Sequence, residues 1–483
     1  MISGPAKPAI VTGAVGAVLM TLGGFGAGAT PHGKGPAHLA GLPALTYGHG
    51  AILMLAVTWL GISLVVSAWV ALAPLAIRGR LTTRDALIAA AAWSLPLLPS
   101  VPLFSRDAWS YLAQGSMANA GYDPFSVGPA VNPGPMTDQI ADDWQITPTP
   151  YGPGHLLLMR AIAFVAGDRP EMGILTLRIL LLAALAGLAW ALLVLSRRTG
   201  TDPGLALWAT VASPLTVLHL TGGLHNEVFA LLPAVVAVVL ALQGRAVAAA
   251  ALIGLAMAIK ITALLVAPFL LWLLLDSRRR AGLAVGAGVV IRLLGTLAGG
   301  GLAVAAAISA IGGGLGWLRA LDVSDRIINY LSMPTALAHL VSALTDDATF
   351  NEILDATRSG ATVTLMVILV VVWWLHRRDR AAAFRGIVIA LIAFVLLNTV
   401  SWPWYYPWIA AFWAAARPTR AATTAAVGAT VFLSLVLGPD GSTSLYTAPI
   451  MAAASVATIL AVLYVARRLR ADSVRTRSPA PVA

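Results

Sequence analysis

Runs of apolar residues long enough to cross a lipid bilayer recur along almost the whole chain, and they leave few folds open. A helix needs about 20 such residues to span the hydrocarbon core. Helices and closed barrels satisfy their own backbone polar groups there. The runs cover 9–29, 50–77, 84–103, 172–196, 204–219, 227–243, 283–311, 359–376, 385–400, 421–437 and 447–466. The segments 246–259, 261–275 and 405–416 are shorter and read as tilted, broken or re-entrant. Counted together at one span per run of roughly this length, they predict an all-α polytopic membrane protein with about 14 transmembrane helices, in a range of about 12–14. Pro96 and Pro99 imply kinks rather than straight rods. Only 11% of the 483 residues are charged, against about 25% in a soluble domain.

The net charge of +11 does not point to nucleic acid, because the arginines fall in short clusters between the apolar runs. With the N-terminus in the cytoplasm, threading the spans places most basic residues on that side, as the positive-inside rule requires. The clusters include Arg197 with Arg198, Arg278 to Arg280, and Arg377, Arg378 and Arg380. Acidic residues collect on the opposite side. The count closes only if 154–167 does not cross; with Arg160 at its middle it reads as an amphipathic helix on the outer surface. Two outer segments are then long, about 104–171 and about 312–358. The expected organisation is one integral membrane domain over 1–466 and a basic, disordered cytoplasmic tail over 467–483. The first run reads as an uncleaved anchor. There is no cysteine, hence no disulfide. A Gly-rich phosphate loop and HEXXH-type spacing are both missing, so neither a cytoplasmic nucleotide nor a metal cofactor is expected.

Four polar groups interrupt this apolar background on the outer side. FSRDAWSYLAQG (104–115) puts Asp107, with Arg106 beside it, at a membrane–water boundary, where a carboxylate is costly and is kept for function or stays solvated in a loop. GGLHNEVF (222–229) puts His225, Asn226 and Glu227 at the outer start of a span. They are either a polar helix cap or a substrate-contacting cluster. Lys260 is a compact cation suited to a phosphate, or a side chain snorkelling to the interface. SWPWYYPW (401–408) is either an aromatic belt or a platform on which sugars stack. Arg178, inside a span near the outer boundary, needs a partner or a wet cavity.

FSRDAWSYLAQG, GYDPFSVGP, TPTPYGPG, GLHNE, AMAIK and SWPWYYPW, in this order over about 45–465, resemble the actinobacterial polyprenol-phosphate-mannose-dependent α-(1→6)-mannosyltransferases of the GT-C superfamily. The resemblance implies a GT-C-type glycosyltransferase fold with outer juxtamembrane helices. It implies transfer of mannose from polyprenyl-phosphate-mannose to a mannosylated phosphatidylinositol or growing mannan, the precursor of lipomannan and lipoarabinomannan. The active site would lie on the outer, periplasmic face of the plasma membrane, with both termini cytoplasmic. Asp107 matches the family's catalytic aspartate, the general base of an inverting single displacement. Lys260, with Arg178 or Arg326, would hold the donor phosphate. Arg106, Tyr111, Tyr151, His225, Asn226, Glu227, Trp402, Trp404 and Tyr405 would contact substrate. Glu227 stands where the pattern leads one to expect aspartate. The competing readings are a lipid or sugar transporter or flippase, and a GT-C enzyme for another sugar. A transporter would more often show inverted repeats and polar sites at mid-membrane.

The topology has a direct test, because the chain offers no cysteine of its own. A cysteine introduced at Ser126 is expected to react with an impermeant maleimide in intact cells, and one at Ser473 to stay unlabelled until the cells are opened. The reverse pattern would overturn the orientation.

Overall fold

Backbone N–H and C=O groups in an apolar run must pair within the run, and this chain does so as helix. The structure, a computed structural model, describes residues 4–30, 41–320, 327–345, 348–443, 445 and 447–475. The principal helices are α1 (Lys7–Ala27), α2 (Gly48–Ile77), α3 (Thr83–Ser94), α4 (Asp107–Asn119), α5 (Pro153–Ala166), α6 (Pro170–Thr199), α7 (Pro203–Ala209), α8 (Glu227–Leu242) and α9 (Ala246–Ile259). They continue with α10 (Phe269–Arg280), α11 (Ala287–Ile311), α12 (Met333–Ser342), α13 (Phe350–Leu375), α14 (Arg380–Leu397), α15 (Pro407–Trp413), α16 (Arg420–Leu435) and α17 (Ala448–Arg475). Among the described residues there is no strand, only an isolated bridge between Leu437 and Thr443.

Among the described residues, seven helices are long and apolar enough to cross a membrane. An eighth span results if the turn Thr216–Gly222 and α8 are taken as one broken crossing. The remaining apolar runs of the sequence are divided or short. Pro96 lies in a 3-10 turn that closes α3. Pro214 separates α7 from the turn Thr216–Gly222, which is π-helical. Pro268 separates a 3-10 turn at Ile261–Leu265 from α10. Proline lacks the amide that would continue the ladder, so each run breaks there.

The described chain divides into two compact units. One comprises 1–105, 202–223 and 418–483, the other 106–201 and 224–417. The basic tail expected to be disordered from 467 continues as helix to Arg475, and 476–483 lie outside the described residues. Of the non-glycine residues with left-handed backbone, Phe104 (φ 66°), Leu224 (φ 60°) and Arg417 (φ 56°) each stand within two residues of a passage from one unit to the other. Gly200 (φ 64°) stands at the fourth passage. A bulky residue in this region costs about 1–3 kcal/mol.

In the first unit α1 and α2 lie almost backbone to backbone. A Cβ at Gly16 would come within 2.6 Å of the Gly61 carbonyl, and one at Gly61 within 2.5 Å of the Gly16 carbonyl. Small residues are what let two apolar helices approach this closely where no hydrophobic force separates them from lipid. Trp69 and Trp208 stack at 4.4 Å, and each indole N–H donates to the other's carbonyl, at 3.0 and 3.1 Å. The two largest apolar side chains of that layer therefore bury no unsatisfied donor.

In the second unit α4 packs on α5, α6 on α8, and α9 on both α8 and α11. At one end of this unit Asp276 on α10 accepts from Arg280 (2.8 Å) and Arg380 (3.1 Å), tying α10 to α14.

Gly61→Leu is expected to be strongly destabilising, because the side chain meets backbone that cannot yield. Overpacking of a core costs about 1–3 kcal/mol, so the detergent-solubilised variant should melt several degrees lower. Gly4→Leu, with open space around its position, is the control, and equal melting temperatures for the two would refute the close packing.

Candidate active site

Asp107 opens α4, where the helix dipole favours an anion. Arg106 precedes it at the N-cap position and is partly exposed. Tyr111, one turn on, shares the face of Asp107. The same i+4 ridge, continued through Gly115 and Asn119, holds α4 to α5. Gly115 packs directly on the backbone of Met159, and Asn119 donates to the Arg160 carbonyl at 2.9 Å while Arg160 Nε donates back to Asn119 at 3.2 Å.

Tyr151 is brought in by the loop that leads into α5. The Gly152 N–H donates to the Ile259 carbonyl at 3.2 Å, and its α-carbon lies against the Ala258 carbonyl where a Cβ would collide. The loop therefore touches the end of α9 only because residue 152 is glycine. α9 ends there, and Lys260 leaves it in extended backbone (φ −149°, ψ 125°).

The lysine points back across the unit to the start of α8. Its ammonium pairs with Glu227 and lies 3.4 Å from Asn226 Oδ1. It stands 4.7 Å from the Tyr405 ring and 5.8 Å from the Tyr151 ring, within cation–π range of both. Asn226 Nδ2 is 3.3 Å from His155 Nδ1. The His155 ring is 4.8 Å from each of Tyr111 and Tyr151, whose hydroxyls are 3.3 Å apart. His225 Nδ1 is 3.5 Å from Asp107 Oδ2, and its ring stacks on Trp404 at 3.6 Å. Trp402 stacks in turn on Trp404 at 5.1 Å.

Residues far apart in sequence thus meet in one cluster: Asp107, Tyr111, Tyr151, His225, Asn226, Glu227, Lys260, Trp402, Trp404 and Tyr405. Exposure divides them into two layers. The side chains of Asp107 and Lys260 are 14% and 12% exposed, whereas those of His225 and Glu227 are 0%. Tyr151, Trp402 and Tyr405 are also partly open, and Tyr111, His155, Asn226 and Trp404 are buried. Of the residues expected to contact substrate, Tyr111, His225, Asn226, Glu227 and Trp404 thus stand in the buried layer, and Tyr151, Trp402 and Tyr405 in the open one. Arg178 is fully buried on α6, and Arg326 lies outside the described residues.

Burial, then the charges of neighbouring groups including Asp107, pushes the Tyr111 and Tyr151 phenols well above the ordinary value, so both stay protonated donors. Burial first, and then the Lys260 charge, lowers the His155 imidazole to about 3, so it is neutral. His155 is the participant the motif reading passed over, although it stands in YGPGH four residues after Tyr151. The left-handed Phe104 and Leu224, which introduce the two acidic motifs, carry no sequence signal that a glycine would have offered. Among the described residues no group of three His, Cys, Asp or Glu side chains is placed to hold a metal ion.

Comparison with known proteins agrees on one family. Residues 10–276 match the family described as "Alpha-(1->6)-mannopyranosyltransferase, N-terminal domain", and 331–467 match "MptB C-terminal domain". The chain is 37% identical over 455 residues to alpha-(1->6)-mannopyranosyltransferase A of Mycobacterium tuberculosis, covering 92% of this chain and 86% of that protein. It is 31% identical to the A enzyme of Corynebacterium glutamicum (96% and 99% covered) and 27% identical to the B enzyme of that organism (82% and 71% covered).

The Lys260–Glu227 pair makes a separable prediction about stability. Lys260→Ala strands a buried carboxylate, which costs about 3–5 kcal/mol, and should lower the melting temperature and the yield. Lys260→Met combined with Glu227→Gln removes both charges and should recover most of that loss. A Lys260→Ala protein that melts like the wild type would show that the pair is not buried.

Proposed function

This chain belongs to the α-(1→6)-mannopyranosyltransferase family, and on that premise we propose that it transfers mannose from polyprenyl-phosphate-mannose to an α-(1→6)-mannan on the outer face of the plasma membrane. The acceptor is a mannosylated phosphatidylinositol or a longer mannan, on the way to lipomannan and lipoarabinomannan. The membrane architecture in this reading is of the GT-C type, with about 14 crossings when the broken and short apolar segments count beside the long helices. Both termini are cytoplasmic. What supports the orientation is the segregation of arginine clusters from acidic loops along the sequence.

The observation that carries the chemistry is that one carboxylate and one ammonium, Asp107 and Lys260, keep some exposure to solvent in one cluster, beside the partly open rings of Tyr151, Trp402 and Tyr405. A β-linked donor and an α-linked product require a single inverting displacement. Asp107 accepts the proton of the attacking 6-hydroxyl as the new bond forms at C1. The bond from C1 to the phosphate oxygen breaks, and its electron pair leaves with the lipid phosphate. Negative charge grows on that phosphate in the transition state, where a fixed cation is worth most. Lys260 supplies it, steadied by Glu227 from behind. His225, sandwiched between Asp107 and Trp404, limits where the base can point. Trp402 and Tyr405 offer open faces to a sugar ring, and the neutral phenol of Tyr151 can donate to it.

Asp107→Asn keeps the shape of the base and removes its proton affinity. General-base catalysis is worth about 10²–10⁴-fold, so mannosyl transfer by the purified variant should fall by at least about 100-fold while donor binding persists. Arg106→Gln is expected to be milder. A correctly inserted Asp107→Asn protein with near wild-type turnover would defeat the assignment.

A further inference from the structure

Away from the cluster, α13 carries a polar stripe where an apolar span begins. Asp355, Arg358, Ser359 and Thr362 follow one another at i, i+3, i+4 and i+7, which puts all four on one helix face. Together with Val363 and Thr399 they line a cavity of about 470 Å³, within the range of small-ligand sites. Arg358 is 7% exposed and held in place by donation to the Ile327 carbonyl at 2.6 Å. Thr362 spends its hydroxyl proton on the Arg358 carbonyl at 2.9 Å, which leaves its oxygen free to accept.

Polar side chains facing outward at the start of a membrane span are costly unless something polar meets them. What meets them can be read from the charge. The cavity lining offers one carboxylate, one guanidinium and, with Thr399, three hydroxyls, so the formal charges cancel. That set both donates to and accepts from neutral hydroxyl groups; an isolated phosphate would be met better by net positive charge. The position is also informative. Thr399 lies three residues before Trp402, no more than about 10 Å of extended chain. The segment between is pinned: Ser332 donates to the Asn398 carbonyl at 2.8 Å, and Asn329 to the Ser401 carbonyl at 3.0 Å.

We propose that this cavity is a saccharide subsite that holds the acceptor mannan chain some sugar units away from its reacting end. The assignment rests on the mannan-extending reading above. Asp355 and Thr362 accept from ring hydroxyls, Arg358 donates to them, and Trp402 continues the path toward Asp107. Its effect is to favour longer acceptors over short ones.

The test uses the full-length protein in lipid nanodiscs, with polyprenyl-phosphate-mannose as donor and synthetic octyl α-(1→6)-dimannoside and tetramannoside as acceptors. Thr362→Leu and Asp355→Asn are compared with wild type; they spare the Arg358 anchor, so folding is preserved. Each removes about one hydrogen bond to a bound sugar, and the ratio of KM for the tetramannoside to KM for the dimannoside is expected to rise about tenfold. An unchanged ratio overturns the subsite. A rise in donor KM with an unchanged ratio overturns it too and assigns the cavity to the donor. Wild-type protein that transfers mannose to neither acceptor defeats the underlying reading of function instead, which the variants' ratio cannot mimic.

Discussion

Glu227 is fully buried, in the first turn of a helix whose following residues are all apolar, and a lone carboxylate there would be expensive. The Lys260 ammonium offsets that cost, and the pairing sets the rest of the site. It requires α9 to stop at Ile259, so that the lysine leaves in extended backbone toward α8. It brings the Gly152 loop against the end of α9, and with it Tyr151 and His155. It leaves the lysine slightly exposed on the side away from the glutamate. A buried ion pair is weak as a source of stability but strong as a constraint, because any arrangement that separates the partners is penalised by several kcal/mol.

The aromatic groups act as a second constraint of a different kind. Trp402, Trp404 and His225 form a stack, and the last of them has its Nδ1 beside Asp107. Stacked planar rings resist tilting, so the His225 ring, whose Nδ1 is 3.5 Å from Asp107, is held in position. The stack begins at SWPWYYPW, where Pro403 and Pro407 break the run into a 3-10 turn and a short helix. The break turns the indole faces toward the cluster. An unbroken helix would have spread them around its circumference.

The helices were largely legible in the sequence. The expected limits 9–29, 172–196, 227–243 and 246–259 fall within a few residues of α1, α6, α8 and α9, and the short segment 154–167 is the helix α5. Hydrophobic length and proline position act locally, so they can be read locally. The number of crossings was less legible, because a run such as 204–219 is apolar from end to end and yet divides at Pro214 into a helix and a π-helical turn. The division into two units was not legible, since its passages fall at Phe104, Leu224 and Arg417, residues whose identity does not announce left-handed backbone.

For the site, the sequence by itself determined the inventory. A chain this poor in charge keeps few acids and lysines among apolar runs, and Asp107, Glu227 and Lys260 stand out for that reason alone. The family followed from the order of the motifs around them. Only the tertiary structure decided which of these residues face an opening and which stand behind it. Glu227 and His225 have the same motif standing as Asp107, yet they are sealed and it is not. Exposure is a property of the neighbours that cover a side chain, and here those neighbours include Trp404 on His225, from a segment more than a hundred residues away and beyond the reach of any local pattern.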